Sequence, residues 1–286
     1  MNFHRLSLVF LYFLTIVAAL YLTAEGWDYY WLPLTERARH DQHEVLKPSG
    51  FISHGAGIVG SALMLILLLY SLRKRWRPMQ RGWGDIRYWL NYHIWMGVTG
   101  PVLVLYHTTF KFGGIVAVSF WSMMAVALSG VLGRYLYVQI PRSLSGEELS
   151  SGELLQMESE LRDKLSSEAH GNAHALKILE AFVAETAAAE GGVLSWISRD
   201  IGATLRYSGL RRALVQEAGL GAADAKRLVA LARKRAVLER RVAFLGTARR
   251  LLHHWHIFHK PFAIIMIVIM VVHVAVATWL GYTWIF

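Results

Sequence analysis

The chain contains no cysteine among its 286 residues. That excludes disulfides, thiolate-held iron–sulfur clusters and covalently attached c-type haem, and it removes any disulfide clue to compartment. A metal must then be held by histidine or carboxylate, or sit inside a cofactor. Charge is scarce as well, at 17% of residues against 55% hydrophobic. No internal repeat or low-complexity tract stands out. What is present is a set of apolar runs that approach or exceed ~18 residues, the length that reads as membrane-spanning. The sequence predicts an integral, all-α membrane protein with one sizeable polar insert. Its net charge of +10 reads as the basic bias of cytoplasmic loops and contact with anionic lipid. Nucleic acid is not an expected partner of so apolar a chain.

Five spans are expected: Leu6–Thr23, Ile52–Leu72, Tyr92–Phe110, Ile115–Val138 and Pro261–Tyr282. The first is longer than the ~7–15-residue core of a signal peptide and lacks a clean small-x-small cleavage site, so it reads as a retained helix. Six Lys/Arg lie between Arg73 and Arg87, three (Arg37, Arg39, Lys47) in the loop Ala24–Phe51, and one, Lys111, follows the third span. The positive-inside rule then places the N-terminus and the Arg73–Arg87 loop in the cytoplasm and the C-terminus in the periplasm of a plasma (bacterial inner) membrane. The expected division is residues 1–140 for four transmembrane helices, 141–258 for a helical cytoplasmic insert, and 259–286 for the fifth helix. The insert has ten acids against three bases from Glu147 to Glu190, and thirteen bases against four acids from Arg199 to Arg250. It predicts a helical hairpin or small bundle, broken at Gly191-Gly192 and Gly219–Gly221. Ser145 and Glu148 are placed to open its first helix as a capping box.

The third span raises the chemical question. NYHIWMGVTGPVLVLYHTTF, Asn91 to Phe110, carries His93 and His107 with thirteen residues between them. Fourteen helical steps rise ~21 Å and return to within ~40° of the starting direction. The two histidines therefore share one helix face, one near each side of the bilayer. The last span repeats the spacing with His259 and His273. Both spans run inside to outside, so His93 is expected opposite His259 and His107 opposite His273. Two facing imidazoles at each of two depths suit two bis-histidine haems, since neutral imidazole ligates iron and ligation satisfies a buried polar ring. Gly97, Gly100, Gly130 and Gly133 would let a flat ring approach the helices. Arg134, Arg142, Arg87, Lys260 and Arg77 are candidates to pair with propionates at the cytoplasmic side, and Lys111 and Lys47 at the outer side. His54, near the outer depth, is a candidate alternative ligand, quinone or proton contact, or helix-end hydrogen bonder.

With these residues the sequence resembles the di-haem b-type membrane cytochromes: the cytochrome b of quinol–cytochrome c oxidoreductases and the ferric reductase/NADPH oxidase transmembrane domain. The resemblance covers spans two to five and not the insert. It implies that His93, His107, His259 and His273 are axial haem ligands in a four-helix bundle, that the cofactors are two non-covalent b haems with a quinone as a further candidate, and that the partners are other redox subunits, a cytochrome or an iron–sulfur protein. The sequence has no Pro-Glu-Trp-Tyr segment of the quinol-oxidising kind, and no flavin and nicotinamide module follows the last span. The expectation is a divergent, stand-alone subunit of a bacterial electron-transport complex.

GAGIVG, Gly55 to Gly60, fits a dinucleotide-binding pattern but lies in a membrane helix without a βαβ context, so close helix or haem packing is expected. HHWHIFH, His253 to His259, resembles a di-iron histidine box without a comparable partner box; His253, His254 or His256 are substitutes for His259. Pro261 either starts or kinks the last helix. The loop Glu25–Gly50, with Trp27, Tyr29, Tyr30 and Trp31, is a candidate surface for an outer electron carrier. A redox-inactive scaffold or transporter subunit and a non-haem di-iron enzyme are the competing classes.

Overall fold

The computed structural model describes residues 3–76, 79, 83–114, 116–141, 149–187 and 193–283, of which 151 and 193–204 are described as backbone alone. Among them the regular structure is helical throughout. In chain order the helices are α1 (Phe3–Trp31), α2 (His43–Leu46), α3 (Phe51–Ile66), α4 (Leu68–Arg75), α5 (Ile86–His107), α6 (Val116–Gln139), α7 (Ser151–Glu168), α8 (Ala173–Ala187), α9 (Val193–Gln216) and α10 (Ala222–Trp279). The chain divides into two compact units, Met1–Gly133 with His254–Phe286, and Arg134–His253.

Among the described residues four stretches are long and apolar enough to cross a membrane: Phe3–Trp31, His43–Arg75, Val116–Gln139 and Ala222–Trp279. The sequence counts one more, Tyr92–Phe110. Its helix α5 has the length, at 22 residues, but Asn91, His93, Pro101 and His107 dilute its apolar character. Phe10, Phe13 and Ile16 on α1, Leu128 and Val131 on α6, and Ile264 and Val272 on α10 are exposed large hydrophobics. Helices that are apolar on their outward as well as their inward faces are what a lipid environment requires.

In the first unit α1 lies beside α5, and a ladder of hydroxyls joins them. Ser7 Oγ meets Tyr92 Oη at 2.9 Å, Thr15 Oγ1 meets Thr99 Oγ1 at 2.9 Å, and Thr23 Oγ1 meets Tyr106 Oη at 2.6 Å. The partners rise together in number, so the two helices run parallel. Steps of seven and eight residues bring one helix face round about every two turns. Between α3 and α5 the contact is backbone-close. A Cβ on Gly60 would stand 2.9 Å from the Gly100 carbonyl oxygen, and one on Gly100 would stand 2.9 Å from Met64 Cγ. Met64 of α3, Phe120 and Met123 of α6, and Met266 and Met270 of α10 form one buried cluster, with Val104 and Leu105 of α5 against it. Methionine's flexible thioether fills irregular gaps of this kind. α5 opens on Asp85, whose side chain accepts the Arg87 backbone N–H at 2.8 Å, and it continues through Pro101. Pro261 lies inside α10, which continues to Trp279.

The second unit is helical by the ordinary rules of soluble proteins. Ala175, Leu179 and Val183 recur every four residues on α8, and Ala225, Leu228, Ala232 and Ala236 recur every three or four on α10. Both stripes enter one core with Leu165, Leu210 and Leu214. α7 starts at a capping box in which Ser150 and Glu153 satisfy each other's backbone N–H groups. The expected box at Ser145 and Glu148 lies outside the described residues, as does the break at Gly191-Gly192. Asn172 caps α8 by accepting the Ala175 N–H at 2.9 Å, and donates to the Ala218 carbonyl at 3.0 Å. Arg235, buried in this core, bonds to Glu180 at 2.6 Å and Glu239 at 2.8 Å. Burial pulls its guanidinium down, but the Glu180 hydrogen bond and the two carboxylate charges outweigh it and the net direction is upward.

Candidate functional site: two levels of histidine

The level expected on the outer side centres on His107, which has two imidazole neighbours. The ring centres of His107 on α5 and His273 on α10 are 6.4 Å apart, and those of His107 and His54 on α3 are 6.0 Å apart. His107 Nδ1 lies 3.0 Å from the Ser53 carbonyl oxygen. A carbonyl only accepts, so Nδ1 carries the proton and Nε2 keeps its lone pair. Gly57 makes room for this ring: a Cβ there would stand 2.5 Å from His107 Nδ1. The GAGIVG stretch thus serves close packing against a histidine.

The inner level is built in the same way. α3 ends and α4 begins around Leu67, whose carbonyl oxygen accepts from Tyr70 N at 3.2 Å and lies 3.3 Å from His93 Nδ1. The Tyr70 and His93 ring centres are 4.9 Å apart. His259 on α10 lies within electrostatic reach of His93. Its Nδ1 is 2.8 Å from Ser129 Oγ, and Ser129 gives its one hydroxyl proton to the Val126 carbonyl at 2.9 Å. His259 must therefore donate from Nδ1, which again leaves Nε2 with the lone pair. Trp255 tilts over His259, ring centres 4.5 Å apart, and its Nε1–H donates to the Ser129 carbonyl at 2.7 Å. The indole fills the space over Gly133.

His93 near His259 and His107 near His273 means that α5 and α10 run parallel, as the histidine spacing requires. With ~2 Å from a metal to each nitrogen and ~1 Å from nitrogen to ring centre, two imidazoles on opposite sides of one metal stand ~6 Å apart, centre to centre. The His107–His273 separation fits. So does His54–His107, which makes His54 the one alternative partner for His107. A backbone or hydroxyl oxygen on Nδ1 is the usual device for fixing the tautomer and orientation of a metal-binding imidazole.

The remaining candidates divide. Gly100 faces Met64 and the Gly60 backbone, and Gly133 faces Trp255. A Cβ on Gly97 would only touch Leu67 at 3.9 Å, and one on Gly130 would meet nothing within 4 Å, so these two glycines leave open surface beside their helices. Of the propionate candidates, Arg87 is bound to Asp85 and Lys47 to Glu44. Arg134 has its guanidinium carbon 5.8 Å from the Tyr137 ring, within the second unit. Lys260 is exposed and Lys111 half-buried, while Arg77 and Arg142 lie outside the described residues. Among the described residues no group of three or more His, Asp or Glu gathers as a non-haem metal centre needs. His253 and His254 are exposed, and His256 stands edge-on to Trp255. Of the aromatic loop, Tyr29 is buried against His43 and Arg37, while Trp27 and Trp31 remain exposed. A cavity of about 460 Å³ adjoins the inner level, lined by Ile66, Tyr70, Tyr88, Trp89, Trp95 and Met96, among others.

Ser53, Leu67, Ser129 and Trp255 are the site residues that the sequence does not single out, whereas Gly57 lies in the GAGIVG stretch that it does. No protein family, curated protein or solved structure matches the chain.

Proposed function

We propose that the chain is a di-haem b-type cytochrome that carries electrons across a plasma membrane, with α5 as a fifth membrane-crossing helix. The observation that carries this reading is the 6.4 Å separation of the His107 and His273 rings, on helices that each carry a second histidine fourteen residues earlier. Haem, when bound, supplies one-electron chemistry; the protein supplies position, tautomer and dielectric. His93 with His259 would hold the inner group and His107 with His273 the outer one. Ser53, Leu67 and Ser129 accept the Nδ1 protons, so that Nε2 of three of these rings is available to iron. The buried cluster of Met64, Phe120, Met123, Met266 and Met270 gives the unit a low-dielectric interior, and the four axial histidines need no charge of their own.

The basic Arg73–Arg87 loop supports an orientation with the inner level, the N-terminus and the insert on the cytoplasmic side and the C-terminus on the periplasmic side. At the inner level the aromatic cavity beside Tyr70 suits a lipid-soluble quinone as the electron-exchange partner: it is apolar, lies beside His93, and has the size of small-molecule pockets, ~300–1,000 Å³. At the outer level a partner subunit or carrier would take or give the electron.

The test is a reduced-minus-oxidised optical spectrum of the detergent-purified chain with a pyridine-haemochrome count. Two b haems per chain are expected, and His107→Ala should lose the outer one alone. A colourless protein from haem-replete cells would overturn the reading.

A further inference from the structure

Arg37 is a buried cation that the histidine sites do not use. It is 5% exposed. Its Nε donates to the Leu32 carbonyl at 3.0 Å, its Nη2 to the Tyr30 carbonyl at 2.7 Å and its Nη1 to the Thr109 carbonyl at 2.6 Å. The guanidinium carbon lies 5.3 Å from the centre of the Tyr29 ring. Among the described residues these partners are all neutral, so the charge is held by carbonyl dipoles and a ring face, with no carboxylate to cancel it. The third carbonyl ties Arg37 to the outer histidine level. Thr109 follows His107 by two residues, is fully buried, and has φ +50°; Phe110 follows at φ +61°. Left-handed backbone is rare for a β-branched residue and persists only where the surroundings hold it. The strong, charge-assisted bond from Arg37 is such a hold.

We propose that Arg37 is the positioning residue of the outer histidine pair and the fixed positive charge that raises the reduction potential of the iron held there. The proposal rests on the di-haem reading. Arg37 fastens the end of α5 through Thr109, and so sets where His107 stands. Its guanidinium lies on the order of 10 Å from the His107 backbone, since two residues span at most ~7.6 Å. The iron would stand beyond that backbone by the reach of the imidazole, and a unit charge ~12 Å from it, at an effective dielectric of ~20, would change the electron affinity of the outer site about tenfold. With haem bound, a one-electron transfer from the inner to the outer site would be favoured by that factor over the uncharged case, the electron lost by one site being gained by the other.

The experiment compares the full chain with Arg37→Gln and Arg37→Lys in detergent. It reads the potentials of both haems by redox titration and the hydrogen exchange of the Thr108, Thr109 and Lys111 amides. In Arg37→Gln the outer potential is expected to fall by about a tenfold weaker electron affinity, roughly 59 mV for a one-electron couple. The inner potential should stay, and the three amides should exchange faster. Arg37→Lys should keep the outer potential while losing part of the exchange protection. Equal shifts of both haems, or no shift of either, in Arg37→Gln would overturn the proposal. If Arg37→Gln does not assemble, Arg37→Lys decides: an outer potential that falls with the charge retained, or amides as protected as in the wild type, overturns it. A wild-type chain without haem removes the di-haem reading and the electrostatic half together. The exchange data still decide whether Arg37 holds the end of α5.

Discussion

His259 shows how much chemistry one hydrogen bond can settle. Ser129 has one proton and spends it on Val126, so the serine oxygen can only accept from the imidazole. Ser129→Ala removes that acceptor and frees the ring to turn and change tautomer. Losses of ~10–100-fold in metal affinity are typical of such outer partners. On the di-haem reading, the expected outcome is a chain that retains its outer haem and holds the inner one ~10–100-fold more weakly, read by haem titration of the apoprotein. Gly57→Ala is the counterpart at the outer level. The added methyl would occupy space that the His107 ring already fills, and the nearest atoms belong to a ring fastened to Ser53. Loss of the outer haem with the inner retained is expected; two haems of unchanged spectrum would show that the ring has another seat.

At the scale of the helix, the α1–α5 ladder is the testable contact. Interhelical hydrogen bonds of this kind are worth ~0.6 kcal/mol on average and up to ~1.7 in membrane proteins. Thr15 holds two partners on α5, Thr99 and Trp95, whose Nε1 donates to its hydroxyl at 3.0 Å. Thr15→Val should therefore destabilise the first unit more than Thr23→Val, in detergent-unfolding midpoints. The start of α5 makes a pH prediction. The Arg87 side chain and then its backbone N–H hold the Asp85 carboxyl below its ordinary range. A depressed carboxylate adds stability that is full above its unfolded pKa and is lost as pH falls through the folded one. The Arg87 and Tyr88 amides should thus lose protection on acidification below the ordinary carboxylate range, and Asp85→Asn should flatten that response. Lost protection that is equal in the variant would rule the cap out as its source.

At the scale of the molecule, each unit has its own source of stability. Arg235→Met removes a buried cation from Glu180 and Glu239, of which Glu180 can rehydrate. A loss of ~1–3 kcal/mol is expected, as for hydrogen bonds to charged groups, seen as easier proteolysis within residues 134–253 with haem content unchanged. This division also explains what was legible in the sequence. Periodicity carries over any distance along one helix, so the histidine spacing, the apolar stretches and the helical character of the insert could be read directly. The acceptors for the histidines could not. Two are backbone carbonyls, at Ser53 and Leu67, which no residue type announces. The third is a serine on another helix, and serine is common enough to carry no signal. Gly57 sat within a recognised motif, yet its partner is fifty positions away. The propionate candidates fared unevenly for a related reason: a cation's nearest anion, such as Asp85 beside Arg87 or Glu44 beside Lys47, is visible in the sequence, but whether the two pair depends on the local backbone.

The two members of each histidine pair stand on α5 and α10, with the whole of the second unit between them in the chain. A ribosome releases His93 and His107 early and His259 and His273 last. Half of each level therefore waits, unmet, while more than a hundred residues are made. Neither level can close on a chain stopped before His259, and the pairing of His107 with His273 requires synthesis past His273.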